Sequence, residues 1–183
     1  MKKVPVFLFL LFFTAQLFSQ VKSVGFVAGA GYTAVDIEKA ISVNDLEDWD
    51  HIGVMIKATV DYALPGGLIL TGEAGGNRLY YWEYYWNDGY YSGYRYRSEW
   101  TSSLGLHIKK YFGNNLFVQA GPGIHAFNDG SGVVPGLVLA SGLNIDAGTR
   151  FYVPVSLRVE TVFGNATPIC VLLGSGLSLR LWK

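Results

Sequence analysis

From Tyr94 to Lys109 the chain changes character at every step. Even positions read Tyr94, Tyr96, Ser98, Trp100, Ser102, Leu104, Leu106 and Ile108, while odd positions read Arg95, Arg97, Glu99, Thr101, Ser103, Gly105, His107 and Lys109. A β-strand sends successive side chains to opposite faces, so a period of two gives one largely apolar face and one charged or small face. Seven further segments alternate in the same way, at 24–34, 54–62, 68–77, 116–126, 133–146, 151–163 and 169–182. Beyond the N-terminal twenty residues no long stretch carries a sustained 3.6-residue apolar period, although the acidic segment 36–50 has room for one helical turn. The chain is expected to be all-β with eight strands.

A soluble antiparallel sheet also alternates, so the period alone does not name the solvent. Two details favour lipid. The polar face is built mostly from Gly, Ser, Thr and Ala, residues that fit the crowded inside of a narrow closed barrel rather than a solvated surface. The connections also differ in length. "ALPGG", "YFGNN" and "DAGTR" are tight turns, whereas 36–50 and the Tyr80–Tyr94 region are long, though "FNDGSG" and "GNATP" are short. Short turns on one side and longer loops on the other characterise outer-membrane barrels, whose strands need about nine to eleven tilted residues to cross. The expected fold is an eight-stranded antiparallel transmembrane up-and-down β-barrel. A secreted soluble barrel with a ligand cavity is the competing architecture.

The first residues set the compartment. "MKKVPVFLFLLFFTAQLFSQ" carries two lysines, an apolar run from Val4 to about Phe13 and a more polar end, the pattern of a cleaved secretory signal peptide. Residues 1–20 are therefore assigned to the leader and 21–183 to a single barrel domain. Without Lys2 and Lys3 the chain has 12 basic and 14 acidic residues, so it lacks the basic footprint of a nucleic-acid binder. A single cysteine, Cys170, excludes an intramolecular disulfide framework.

The strand register turns Lys57, Asp61, Glu73, Arg95, Arg97, Glu99, His107, Lys109, Arg158, Glu160 and Arg180 inward. Both signs appear in similar numbers, as a self-neutralising interior requires, because an unpaired buried charge is very costly. Turning the chain at Pro65-Gly66 sets Thr59 opposite Glu73 and places Lys57 diagonal to Glu73, near enough to pair. An eight-stranded barrel has little internal room, so these residues are expected to plug the lumen. A narrow conducting pore is the alternative.

Aromatic rings crowd the second outside connection. Tyr80, Trp82, Tyr84, Trp86, Tyr94, Tyr96 and Trp100 form an expected outer girdle and projecting hairpin, turning at Asn87-Asp88-Gly89. Amphipathic rings favour the membrane–water boundary, where one end stays wet. Anchoring and cross-strand ring pairing account for them; contact with an unknown surface ligand is the sharper reading. The acidic first loop reads as a solvated face, with divalent-ion bridging to lipopolysaccharide as the alternative.

The signal ending "LFSQ", the Gly/aromatic alternation, "FYVPVSLRVETVFG" and the closing "SGLSLRLWK" together resemble the small outer-membrane β-barrel proteins of the OmpA/OmpX-like superfamily, in the version common in Bacteroidota-type bacteria. The resemblance is one of pattern across residues 21–183. It implies eight strands, no cofactor, and as partners the outer-membrane lipids and lipopolysaccharide and the outer-membrane assembly machinery. That machinery reads a last strand of alternating apolar residues ending in an aromatic. Leu177, Leu179, Leu181 and Trp182 fit approximately, while Trp182 has inward parity and Lys183 follows it. Peptidoglycan binding of the OmpA kind is not implied.

Some barrels of this size modify lipid A, so catalysis needs its own test. "GIHAFNDGSG" puts His125 near the outer end of the fifth strand, close to Asn128, Asp129 and Ser131. Outer-membrane lipid A deacylases carry a His-x-Ser-Asn element; here His125 and Asn128 match, but Phe127 stands in the serine position. A Ser–His–acid set through Ser131 is conceivable but unspecified by any spacing. His51 and His107 show no metal-ligand spacing. The chain is read as non-enzymatic, with a lipid A-modifying enzyme as the alternative.

Overall fold

A computed structural model describes residues 20–34, 52–87, 91–128, 132–163 and 169–181, the side chains of 34 and 80–97 excepted. Eight strands follow one another: β1 (Val21–Ala34), β2 (Ile52–Ala63), β3 (Leu68–Asn87), β4 (Tyr91–Phe112), β5 (Leu116–Phe127), β6 (Val133–Asp146), β7 (Phe151–Val162) and β8 (Ile169–Arg180). Each pairs antiparallel with the next, and β1 pairs with β8, so the sheet closes on itself as an up-and-down barrel. Closure leaves no unpaired strand edge, which is what a backbone surrounded by hydrocarbon requires.

The alternation sorts as the sequence pattern predicts. Ile56 (60% exposed), Leu104 (57%), Leu139 (53%) and Leu173 (63%) face outward, whereas their neighbours Lys57, Ser103, Ala140 and Leu172 are buried inside. Exposed leucines and buried lysines invert the arrangement of a water-soluble protein. Large exposed apolar side chains occur on seven of the eight strands among the described residues, β3 excepted, a belt rather than the single patch that a soluble monomer exposes.

Tight connections at 64–67, 113–115 and 147–150 lie at one end of the barrel together with both chain ends of the described region. The first is a single 3-10 turn, Pro65–Gly67, in which Gly66 and Gly67 hold φ of 76° and 74°. Side chains rarely adopt that left-handed conformation, so these two glycines fit the turn. At the other end β3 and β4 pair without interruption up to Asn87 opposite Tyr91. The two strands have 20 and 22 residues, so this hairpin extends well past the length needed to cross a bilayer. The expected turn at Asn87-Asp88-Gly89 is in keeping with Asn87 ending β3, although residues 88–90 lie outside the description. So do the leader, the acidic first loop, and the end of the chain at Trp182 and Lys183.

Narrowness shows at the seam between β1 and β8. A methyl group added to Gly176 would stand 1.8 Å from the carbonyl oxygen of Phe26, and one added to Gly31 would stand 1.9 Å from that of Val171. No carbon fits at those distances, so the lumen-facing glycines are what let the two strands pair so closely.

Candidate functional site

The inward face carries two connected sets of paired charges. Glu160 of β7 is the centre of the first and has no exposed surface. Lys57 of β2 reaches it from across the barrel, with Nζ 3.1 Å from Oε1 and 3.2 Å from Oε2. Arg158 Nε donates to Oε2 at 2.8 Å, and Asn77 Nδ2 donates to Oε1 at 2.7 Å. His125 Nε2 lies 3.3 Å from the same Oε1. Arg158 then links the set to Glu73, its Nη1 donating to Oε2 at 2.8 Å. Gln119 Nε2 holds the other Glu73 oxygen at 2.8 Å, and His107 Nδ1 sits 3.4 Å from it.

Asp61 anchors the second set, nearer the short turns. Lys109 Nζ lies 2.8 Å and 2.9 Å from its two oxygens. Thr71 Oγ1 donates to Oδ1 at 2.6 Å, and Ser23 Oγ donates to Oδ2 at 3.1 Å while touching the Tyr152 hydroxyl at 2.9 Å. Lys57, Lys109 and Arg158 thus balance Asp61, Glu73 and Glu160. Multiple hydrogen bonds to each carboxylate offset the desolvation that makes an isolated buried charge prohibitive.

Between the two sets lies a cavity of about 40 Å³, bordered by Lys57, Thr59, Asp61, Glu73, Lys109 and Arg158 among others. That is space for a water or two, with polar groups to hold them. Arg158 Nη2 is buried without a hydrogen-bond partner, as are Asn77 Oδ1, His107 Nε2 and His125 Nδ1.

Not every sequence expectation on the inward charges holds. Thr59 is opposite Glu73 as the hairpin predicts, but Lys57 does not take Glu73. Its ammonium crosses the lumen to Glu160, because Arg158 and Gln119 already occupy the Glu73 oxygens. Arg180 also departs from expectation. Its parity is inward, yet it lies at the short-turn rim, where it pairs with Asp146 and stacks 5.0 Å from the Tyr152 ring centroid. Glu99 is half-buried on β4, opposite Leu79 and apart from both clusters. Arg95 and Arg97 belong to β4 opposite Glu83 and Tyr81, but their side chains are outside the description.

Among the girdle residues, Trp100 faces outward at 45% exposure, opposite Arg78, whose Nη2 donates to Ser98 Oγ at 3.2 Å. Tyr80, Trp82, Tyr84, Trp86, Tyr94 and Tyr96 are placed only by backbone register, Trp82 opposite Tyr96 and Tyr84 opposite Tyr94. His125 points into the lumen, 1% exposed, while Asn128 is exposed in the following turn. Asp129 and Ser131 fall outside the description.

Sequence reasoning missed an apolar layer inside the barrel. Met55, Leu79, Val162, Cys170 and Leu172 are buried together, with Val27, Phe127 and Val134 packed against them. Most of these residues stand at strand ends away from the short turns, so they lie over the charge clusters on the loop side. The signal was present in "ICVLL" (169–173), where both parities are apolar around Cys170 and Leu172.

No family model matches the chain, and no curated protein matches it in sequence. Solved structures do. Neisserial surface protein A (NspA) superposes with a TM-score of 0.57 at 11% identity, over 87% of this chain and 96% of that one. Lower scores relate it to a de novo designed transmembrane β-barrel (0.44, 13% identity, 87% and 95% covered) and to outer membrane protein AlkL in lipid bilayers (0.39, 12% identity, 87% and 92% covered). At such identities the likeness is one of fold: this chain has the architecture of a small outer-membrane barrel.

Proposed function

We propose that the chain is an integral outer-membrane β-barrel of the OmpA/OmpX-like kind, non-enzymatic, with a lumen closed by paired charges. One observation carries the reading: the same strands that expose Leu104, Leu139 and Leu173 bury Lys57, Glu73, Arg158 and Glu160. Only a hydrocarbon solvent rewards both halves of that pattern. The cavity between the two charge clusters, about 40 Å³, is too small for a solute to pass there, and the apolar layer around Leu79 and Leu172 resists wetting on the loop side.

The exported leader, the Bacteroidota-type affiliation and the partners belong to the same proposal. The outward belt meets outer-membrane lipid, and Trp100 and its strand neighbours meet lipopolysaccharide at the boundary. The assembly machinery inserts the barrel. A lipid-modifying activity is disfavoured because His125 turns to Glu160 in the interior, away from any acyl chain.

Cell fractionation with heat-modifiable gel migration tests the membrane assignment. The protein should sediment with outer membranes and migrate faster unheated than boiled. Recovery in the soluble periplasmic fraction would overturn it. Purified protein in planar bilayers should give no steady conductance, and a stable ohmic channel would overturn the closed lumen.

A further inference from the structure

At the short-turn end, three basic residues from distant parts of the chain arrive at one edge. Arg150 closes the turn between β6 and β7, Arg180 ends β8, and Lys22 lies at the start of β1. The Arg180 amide donates to the Arg150 carbonyl at 2.7 Å, and the Leu181 amide donates to the Lys22 carbonyl at 2.9 Å. The three residues therefore stand side by side on adjacent strand ends.

Their charges are not matched. Asp146 takes Arg180. Lys22 and Arg150 are exposed and form no ion pair among the described residues. The described acidic side chains are otherwise turned inward, as Asp61, Glu73, Glu99 and Glu160. Lys22 and Arg150 flank Arg180 from the two strands on either side of β8, so three cations face the single carboxylate of Asp146 and the edge favours an external anion. Directly beside it the apolar belt begins, with Phe151 43% and Leu181 42% exposed. A cationic edge bordering an apolar wall matches a molecule that is anionic at one end and hydrocarbon at the other.

We propose that Lys22 and Arg150, beside the Arg180–Asp146 pair, bind the headgroup of an anionic glycerophospholipid in the leaflet on the short-turn side. The phosphate lies against the two cations and the acyl chains run along Phe151 and Leu181. The proposal rests on the membrane reading above, and adds to it a lipid preference located at one point of the rim.

Native mass spectrometry of the full chain, released from detergent with phosphatidylglycerol or phosphatidylcholine of identical acyl chains, tests this. Phosphatidylglycerol should be retained in preference, and Lys22→Gln with Arg150→Gln should reduce its retention about thirtyfold, at roughly one kcal/mol for each of the two basic groups. Lys110→Gln removes an exposed cation on β4, three strands round the barrel from β1 and from β7, and should leave retention unchanged. Equal retention of the two lipids, or an equal loss in Lys110→Gln, would overturn the site. Inorganic phosphate binding as tightly as the lipid would reassign the edge to a soluble anion and overturn it too. Heat-modifiable migration of the same variants separates the two readings: a well-folded, membrane-inserted barrel without lipid preference sinks the site alone.

Discussion

Lys57 and Glu160 are 103 positions apart in the chain, yet the ammonium sits within 3.2 Å of both carboxylate oxygens. Neither residue is on a strand adjacent to the other's, since β1 and β8 stand between β2 and β7 in the ring. The pair therefore ties together walls three strands apart, which backbone pairing between neighbours does not do.

Removing one partner should be costly. Glu160→Gln leaves Lys57 and Arg158 without their shared carboxylate in a water-poor interior, and an expected loss of about 3–5 kcal/mol follows. Lys57→Met combined with Glu160→Gln should recover much of it, because Arg158 keeps Glu73. Urea unfolding from lipid vesicles measures both.

Glycine tolerance should follow the side of the wall. Gly176→Ala places a methyl group against the Phe26 carbonyl, so the β1–β8 seam must shift and the folded fraction on unheated gels should fall. Gly72→Ala, with nothing within 4 Å of the added carbon, should fold as the parent does.

A charge in the middle of the belt should be penalised more than one at its edge. Leu104→Arg is expected to destabilise by about 2–4 kcal/mol, and Ile145→Arg, next to the short-turn rim, by about 0–1 kcal/mol. Equal penalties would mean that no hydrocarbon slab surrounds the barrel.

Lipid A should be indifferent to this protein. With His125 enclosed beside Glu160, deletion, overexpression and His125→Ala are each expected to leave the lipid A mass spectrum unchanged. A shift equal to one acyl chain, abolished by His125→Ala, would establish the enzyme.

Strand number and the facing of most described strand residues were legible from the period of two, because that period is a property of the backbone alone, and the up-and-down order followed from the tight turns. The hairpin register at Pro65-Gly66 was legible as well, since a tight turn fixes which residues stand opposite, here Thr59 and Glu73. Contacts across the lumen were not. Pairing Lys57 with Glu160 depends on how eight strands tilt and close, which no single hairpin encodes. Rim and interior were also confused for Arg180, because parity gives the side of the sheet and not the depth. Neutral partners such as Gln119 and Asn77 escaped attention for lack of charge, although they complete the hydrogen bonding of Glu73 and Glu160. The apolar layer escaped for the opposite reason: where both faces of a strand are apolar, as around Cys170 and Leu172, alternation carries no contrast.

Labelling by a lipid-dissolved maleimide of Leu104→Cys and Ser103→Cys, each in a Cys170→Ser background in lipid vesicles, tests most directly which wall touches hydrocarbon. Fast labelling at position 104 and little at its neighbour 103 is the expected result. Fast labelling at 103 with position 104 shielded, or no labelling at either, would contradict the account.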